Sequence, residues 1–378
     1  YSVFFRNHLA DLAGVVLHLE FIADFLAPHT KRAYLVGGSV RDMLLGREIY
    51  DFDIEIYDIK PEFFDTLMQK LGANGFGKSF FVYKFKNYDL SLARTENKVR
   101  SGHKGFEVSV CDDERLGARR RDFTINSMMI NIFNDEFLDF YGGLKDLNAR
   151  ILRHIDDESF KEDSLRVLRA VHFVARFDLK IADESLKFMQ TMDTRDLSRD
   201  RINAELYKFF KAKNLKRGFE ALQKLNLEQV VLLNDSTKCE NAAKFRQILE
   251  RAREFISDEG LFLYLYLNFF GIEKKDFFAK TQLKKELLNA AKQPFFKDEM
   301  SDLDLAQIAL QMPLKSWLGL WDEKRVQRAR ALKLYDKALR AQIDTQELEN
   351  LGFSGKKLGE QIQKRKNEWL KAYLKGIK

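Results

Sequence analysis

Proline is scarce in this 378-residue chain: Pro28, Pro61, Pro294 and Pro313 are the four. None falls between Pro61 and Pro294, so long helices can run there without a ring that removes an N–H and crowds the preceding turn. Cysteine is scarcer still, with only Cys111 and Cys239. Two distant cysteines exclude a disulfide framework and a Cys-rich zinc site, and they make a reducing cytoplasm the expected location. No apolar run reaches the ~18 residues of a membrane span. The N-terminal residues carry charges throughout and lack a compact apolar stretch, which argues against a secretory leader. All six histidines precede residue 173.

Hydrophobic residues make up 45% of the chain and charged residues 32%, the balance of a packed protein rather than a disordered one. The length suits roughly two to four domains. The net charge is +7, and residues 301–378 hold 16 basic against 10 acidic side chains, a net of +6. That excess reads either as a solvated helical face or as a surface that tracks nucleic-acid phosphates.

Apolar residues at three- and four-residue steps predict a helix over residues 1–30. Strands are predicted at Ala33–Val36, Asp51–Tyr57, Phe80–Phe85, Asp89–Ala93, Met128–Phe133 and Phe137–Asp139, with a helix at Pro61–Leu71. This mixed module ends near Gly142-Gly143, and helical periodicity then dominates to the end. The predicted class is α+β, a sheet-bearing head followed by helices.

Gly72–Ser79 matches the phosphate-loop pattern letter for letter. A phosphate loop leaves a strand and opens a helix, however, and here a helix precedes and a strand follows. The match is therefore refused.

The chemistry is expected elsewhere. Leu35–Glu55 reads LVGGSVRDMLLGREIYDFDIE. A strand ends in Gly37-Gly38-Ser39 and a helix begins, an arrangement that brings backbone N–H groups close to a phosphate, with Arg41 in the first turn. The strand that follows places Asp51, Asp53 and Glu55 on one face and Phe52, Ile54 and Ile56 on the other. Neighbouring carboxylates repel unless a cation lies between them, and hard oxygen donors suit Mg2+. A phosphate cradle beside such a pair suggests metal-assisted phosphoryl or nucleotidyl transfer. Asp89 is a third carboxylate if its strand lies beside Asp51–Tyr57, and a surface residue otherwise. Arg119-Arg120-Arg121 suits triphosphate binding, with Asp122 and Asn126 in reach of ribose hydroxyls. A helix over Phe160–Arg176 buries Leu165, Leu168, Val171 and Val174, and it carries Asp163 and Arg166 three residues apart on one face.

These stretches, with FYGGLKDLNARILRH and EDSLRVLRAVHFVARF after them, resemble the class II tRNA nucleotidyltransferases. That family of CCA-adding enzymes also includes bacterial poly(A) polymerases. The resemblance covers about residues 33–180. It implies a nucleotidyltransferase head (31–145) after an N-terminal helix (1–30), then a neck (146–215), a body (216–300) and a basic tail (301–378). It implies addition of C, C and A to the tRNA 3′ end from CTP and ATP, with Mg2+ as cofactor and no obligate protein partner. On the matching positions, Asp51 and Asp53 would hold the metal; Asp89, read from its own strand, is the candidate third catalytic carboxylate. Gly38, Arg41 and Arg121 would contact the nucleotide. Asp163 and Arg166 would read the base, and Arg169 would belong to the same nucleotide-binding helix. The family often has arginine where this chain has His172.

Base reading by that pair also has a physical basis. Asp only accepts hydrogen bonds and Arg only donates. Cytosine and adenine each present an amino donor beside a ring-nitrogen acceptor; uracil and guanine reverse both. Mispaired buried polar groups are costly, so one pair can accept CTP and ATP and reject UTP and GTP.

Many bacterial relatives add a C-terminal hydrolase domain with His and Asp metal ligands, which a chain without histidine after His172 is not expected to contain. Arg94–Gly105 is polar, basic and glycine-bearing, like the flexible loop that CC-only enzymes lack; it favours A addition without separating CCA-adding from A-adding enzymes or from poly(A) polymerases. In the tail, Gly352–Gly359 leads into a helix whose Lys356, Lys357, Lys364 and Arg365 are candidates for the tRNA backbone. A non-catalytic RNA-binding protein is the rival of another class, against which the retained Asp51 and Asp53 argue.

Overall fold

The computed structural model describes residues 13–75, 81–98, 106–234, 241–297 and 299–377. They fall into two compact units. One runs to Ala170 and adds Phe177–Leu197; the other comprises Val171–Arg176 and everything from Ser198.

The first unit is built on a seven-stranded mixed sheet in the order β3-β4-β5-β2-β1-β8-β9. Its strands are β1 (Ala33–Val36), β2 (Phe52–Ile56), β3 (Asn74–Gly75), β4 (Val82–Phe85), β5 (Tyr88–Leu92), β8 (Met129–Asn131) and β9 (Phe137–Leu138). β2 and β5 run parallel, while the other pairings are antiparallel. The alternation read in the sequence is realised on β2, where Phe52, Ile54 and Ile56 are buried to 2% exposure or less. Helix α1 (Ala13–Leu26) precedes the sheet; α2 (Gly38–Leu44) follows β1 and α3 (Pro61–Leu71) follows β2. Pro61 stands in the first turn of α3, where its missing N–H costs nothing. Gly72 caps the same helix at φ +75°, and β3 follows it, so the phosphate-loop look-alike does connect a helix to a strand. Its residues 76–80 lie outside the described residues, and with them Phe80, the first residue of the predicted strand.

Three features depart from the predicted layout. The single helix expected over Phe160–Arg176 is two, Asp157–Lys161 and Leu165–Phe177, and Asp163 lies between them while Arg166 is on the second. Arg94–Lys98 (β6) and Phe106–Val110 (β7) form an antiparallel ribbon, so the stretch taken as a loop begins as a strand. Its residues 99–105 lie outside the described ones. The three arginines do not run into a strand: Arg119 ends helix α4 (Glu114–Arg119), Thr124–Asn126 is a 3-10 turn, and β8 starts at Met129. After the sheet come α5 (Gly143–Asn148), α6 (Asp157–Lys161), α7 (Leu165–Phe177) and α8 (Asp183–Gln190). The short strands β10 (Ile151–Leu152) and β11 (Lys180–Ile181) pair in parallel among them. On α7 the expected Leu168, Val171 and Val174 are buried, with Val167 and Ala170 beside them, while Leu165 is half-buried.

The second unit is helical. Its aromatic centre joins Phe209 of α9 (Arg199–Phe210), Phe219 of α10 (Leu215–Lys224), Phe245 of α12 (Ala242–Phe255), and Phe262 and Tyr266 of α13 (Leu261–Phe269), α11 being Glu228–Leu232. Further along come α14 (Lys274–Thr281), α15 (Lys285–Ala291), α16 (Asp302–Ala309), α17 (Glu323–Ala331), α18 (Thr345–Asn350) and α19 (Gly355–Ile377). Leu370 of α19 packs into a cluster with Leu305, Ile308, Trp317 and Leu334. Among the described residues no helix is long and apolar enough to cross a membrane. Cys111 is buried with a free thiol, and Cys239 lies outside the described residues.

Candidate active site

The β1–α2 turn opens the site. Gly37 takes φ +64° with ψ −129°, a conformation that side chains strongly resist. A Cβ there would stand 3.0 Å from Arg121 Nη1 and 3.6 Å from Asp53 Oδ2. Glycine thus lets the backbone pass under a guanidinium and beside a carboxylate. Ser39 fastens the turn to the acidic strand: its hydroxyl donates to the Asp51 carbonyl and accepts from the Asp53 N–H, both at 3.0 Å.

Three carboxylates meet on this side of the sheet. Asp53 and Asp89 are register partners across the parallel β2–β5 pair, and Asp51 lies two residues before Asp53. Lys84 of β4 is the register partner of Asp89. Its ammonium lies 2.7 Å from Asp51 Oδ1 and 3.1 Å from Asp89 Oδ2. The Asp53 carboxyl is pushed up from its ordinary value, by burial first, with Asp89 and Asp51 adding to the effect and Arg121 and Lys84 opposing it. The repulsion expected between close carboxylates is therefore present, and so is a cation drawn to them.

Glu55, the third acidic residue along β2, is fully buried. It accepts from Arg120 Nη2 at 2.6 Å, Arg121 Nη2 at 3.0 Å and the Tyr57 hydroxyl at 2.7 Å. Burial alone would raise its carboxyl, but the two guanidinium groups and Tyr57 outweigh that and hold it at about 2. Gly117 makes room for the arrangement, since a Cβ there would lie 2.4 Å from the Tyr57 hydroxyl and 2.8 Å from Glu55 Oε1.

A second polar chain runs behind the turn. Arg41 is 4% exposed and donates through Nη1 to Asn126 Oδ1 at 2.5 Å. It also pairs with Asp42 at 2.8 Å, and its guanidinium lies over the Phe177 ring at 4.3 Å. Asn126 Nδ2 donates to Asp122 Oδ1 at 2.8 Å, and Arg169 Nε to Asp122 Oδ2 at 2.7 Å. Burial opposes ionisation of Asp122, yet Arg169 and Asn126 prevail and keep it below the usual carboxylate range. On α7, Arg166 donates to the carbonyls of Ser159 and Arg120, each at 2.6 Å, which fixes the plane of its guanidinium. Asp163 Oδ1 accepts from the Leu165 N–H at 3.0 Å.

Residues 33–153 match the family of the poly(A) polymerase head domain. A multifunctional CCA protein of Nitrosospira multiformis is 39% identical over 203 residues, 51% of this chain and 47% of that protein. Its counterpart in Xylella fastidiosa is 38% identical over 212 residues, 53% of this chain and 50% of that protein. By these likenesses the chain resembles the class II tRNA nucleotidyltransferases. It spans about half the length of the curated relatives it matches. Among solved structures, a Bacillus stearothermophilus CCA-adding enzyme in complex with CTP superposes with a TM-score of 0.66 at 21% identity, covering 98% of this chain and 93% of that one. A tRNA nucleotidyltransferase complexed with a primer tRNA and an incoming ATP analog gives 0.61 at 22% identity, covering 83% and 97%. At these identities the likeness is one of fold.

The expected residues separate into several groups. Gly37, Gly38, Ser39, Asp51, Asp53, Asp89 and Arg121 come together around the β1–α2 turn and the β2–β5 pair. Arg41, Asp122, Asn126 and Arg169 also come together, but through one another; the arginine expected at the nucleotide is engaged by Asn126 and Asp42, and the two groups expected at ribose are engaged by Arg41 and Arg169. His172 belongs to the second unit, 4% exposed, with Nδ1 2.5 Å from Glu205 Oε2. Lys356, Lys357, Lys364 and Arg365 are exposed on α19, and Arg365 lies 3.4 Å from Glu347. Glu55 and Lys84 were not anticipated as site residues. Glu55 was signalled by its place on the acidic face of β2; Lys84 had no signal short of the strand register.

Proposed function

We propose that this chain adds C, C and A to the 3′ end of tRNA from CTP and ATP, with Mg2+ as cofactor and without a nucleic-acid template. The observation that carries the reading is the meeting of Asp51, Asp53 and Asp89 beside a glycine turn crossed by the anchored Arg121.

Asp51 and Asp53 would hold the metal. The donor set fits: hard carboxylate oxygens, one of them pushed toward protonation by burial and then by its acidic neighbours, with an ammonium already drawn into the group. Among the described residues no group of three or more His, Cys, Asp and Glu is arranged to enclose an ion. Two carboxylates with open positions suit an ion that keeps waters and substrate phosphate as its other ligands. When bound, Mg2+ supplies charge stabilisation at the phosphoryl oxygens.

The chain's own residues do the rest in this reading. Gly37 and Gly38 let the triphosphate approach backbone N–H groups. Arg121, its plane fixed by Glu55, contacts phosphate oxygens. Arg166, fixed by two carbonyls, and Asp163 present the donor and acceptor edges that accept cytosine or adenine. The exposed Lys356, Lys357, Lys364 and Arg365 hold the tRNA backbone.

Asp51→Ala separates this reading from a non-catalytic RNA-binding protein. Incorporation should be abolished and tRNA affinity kept; incorporation at the parental rate would overturn the metal assignment.

A further inference from the structure

Lys84 is placed by the sheet. β4 lies next to β5, and their antiparallel register puts Lys84 opposite Asp89. β5 lies next to β2, and their parallel register puts Asp89 opposite Asp53. A lysine at this one register position can reach along the row of acids, and its ammonium sits within 3.1 Å of both Asp51 and Asp89. The side chain is 30% exposed, so the ammonium is neither sealed in nor fully solvated. It contributes a compact point charge on a flexible stem, which can leave one carboxylate while keeping the other.

We propose that Lys84 is a built-in counter-ion that occupies the acidic cluster without metal and gives up Asp51 when a divalent ion binds. The proposal rests on the metal reading of Asp51 and Asp53 given above. With no metal, the ammonium offsets repulsion among the three carboxylates and keeps β2, β4 and β5 in register. With metal, Asp51 changes partner and Lys84 retains Asp89. Metal binding is then an exchange of cations, and the lysine lowers the affinity that the bare carboxylates would have. Removing a unit positive charge a few ångströms from a divalent ion is worth roughly tenfold in affinity even in a water-like dielectric.

The test is direct titration of the full chain with Mn2+ in the absence of nucleotide and RNA, with free Mn2+ read by electron paramagnetic resonance. Lys84→Met should bind Mn2+ roughly tenfold more tightly than the parent, and Lys84→Arg should stay near the parent. Hydrogen exchange in the same samples supplies a readout without activity: metal-free Lys84→Met should lose protection in β4 and β5, and Mn2+ should restore it. Unchanged or weaker Mn2+ binding by Lys84→Met, with parental protection in β4 and β5, overturns the exchange. Asp53→Asn in both backgrounds separates the two failures. If Asp53→Asn leaves parental Mn2+ binding intact, or the parent binds none, the metal reading falls and the exchange falls with it. If Asp53→Asn abolishes binding while Lys84→Met matches the parent, only the exchange is wrong.

Discussion

Replacing Glu55 by Gln tests how firmly the arginine pair is built into the head. Gln keeps the shape and one acceptor and drops the charge. Glu55 is fully buried, with Arg120, Arg121 and Tyr57 at 2.6, 3.0 and 2.7 Å. Burial works against its ionisation, and the arginines and Tyr57 still bring the carboxyl from 4.5 down to about 2. At about 1.4 kcal/mol per pH unit, that depression amounts to about 3 kcal/mol of folded-state preference for the charged form. The folded value lies below the unfolded one, so this stability is complete above pH ~4.5 and fades as pH falls toward 2. At neutral pH Glu55→Gln should cost about 3 kcal/mol, in the range for breaking a buried pair by removing one partner. Hydrogen exchange reads the head on its own: after correction for intrinsic rates, β2 and α4 peptides should lose about a hundredfold in protection at pH 7. The gap between variant and parent should narrow as pH falls from about 4.5 toward 2. A loss under fivefold, or a gap that ignores pH, would refute the reasoning.

Asp53→Asn should stabilise the metal-free head. The Asp53 carboxyl is raised in the fold, so its ionisation works against stability as pH rises past the folded value; the variant's melting temperature should exceed the parent's at pH 8 and approach it at pH 4. Gly37→Ala should destabilise by about 1–3 kcal/mol through its strained backbone and push Arg121 aside, seen as a lower melting temperature and a raised KM for ATP. Asp163→Ala should blur the choice of base, measured as UTP and GTP incorporation relative to CTP and ATP; selectivity kept intact would remove Asp163 from base reading.

Much of the head was legible because its signals are local. Period-two alternation over Asp51–Tyr57 gave both the buried face of β2 and the acidic one, and Gly37-Gly38-Ser39 between a strand and a helix marked the turn. The β6–β7 ribbon was not legible: Arg94–Lys98 is polar throughout and carries no alternation, and its pairing with Phe106–Val110 is non-local. The two-residue strands β10 and β11 are too short to carry a period. Arg41 read as an anion contact because the first turn of a helix points there. Its partner Asn126 lies 85 residues away, and the ring under it, Phe177, stands farther along still. Glu55 was visible on its face, but its role depends on two arginines that the chain brings back 65 and 66 residues later. Lys84 is invisible to any local pattern, since only the register of three strands puts it among the acids.

The central claim is nucleotidyl transfer to tRNA with the protein choosing the base. It is tested most directly by supplying the full chain, Mg2+, CTP and ATP with tRNA transcripts that end before CCA, after the first C, or after CC, and with an unrelated RNA as control. The account predicts that each transcript is completed to CCA and then extended no further, with the control RNA untouched. Addition of A to the CC-ending transcript alone, or runs of A on the control RNA, would contradict CCA addition and place the chain with the A-adding enzymes or the poly(A) polymerases. No incorporation into any of them would contradict the transfer itself.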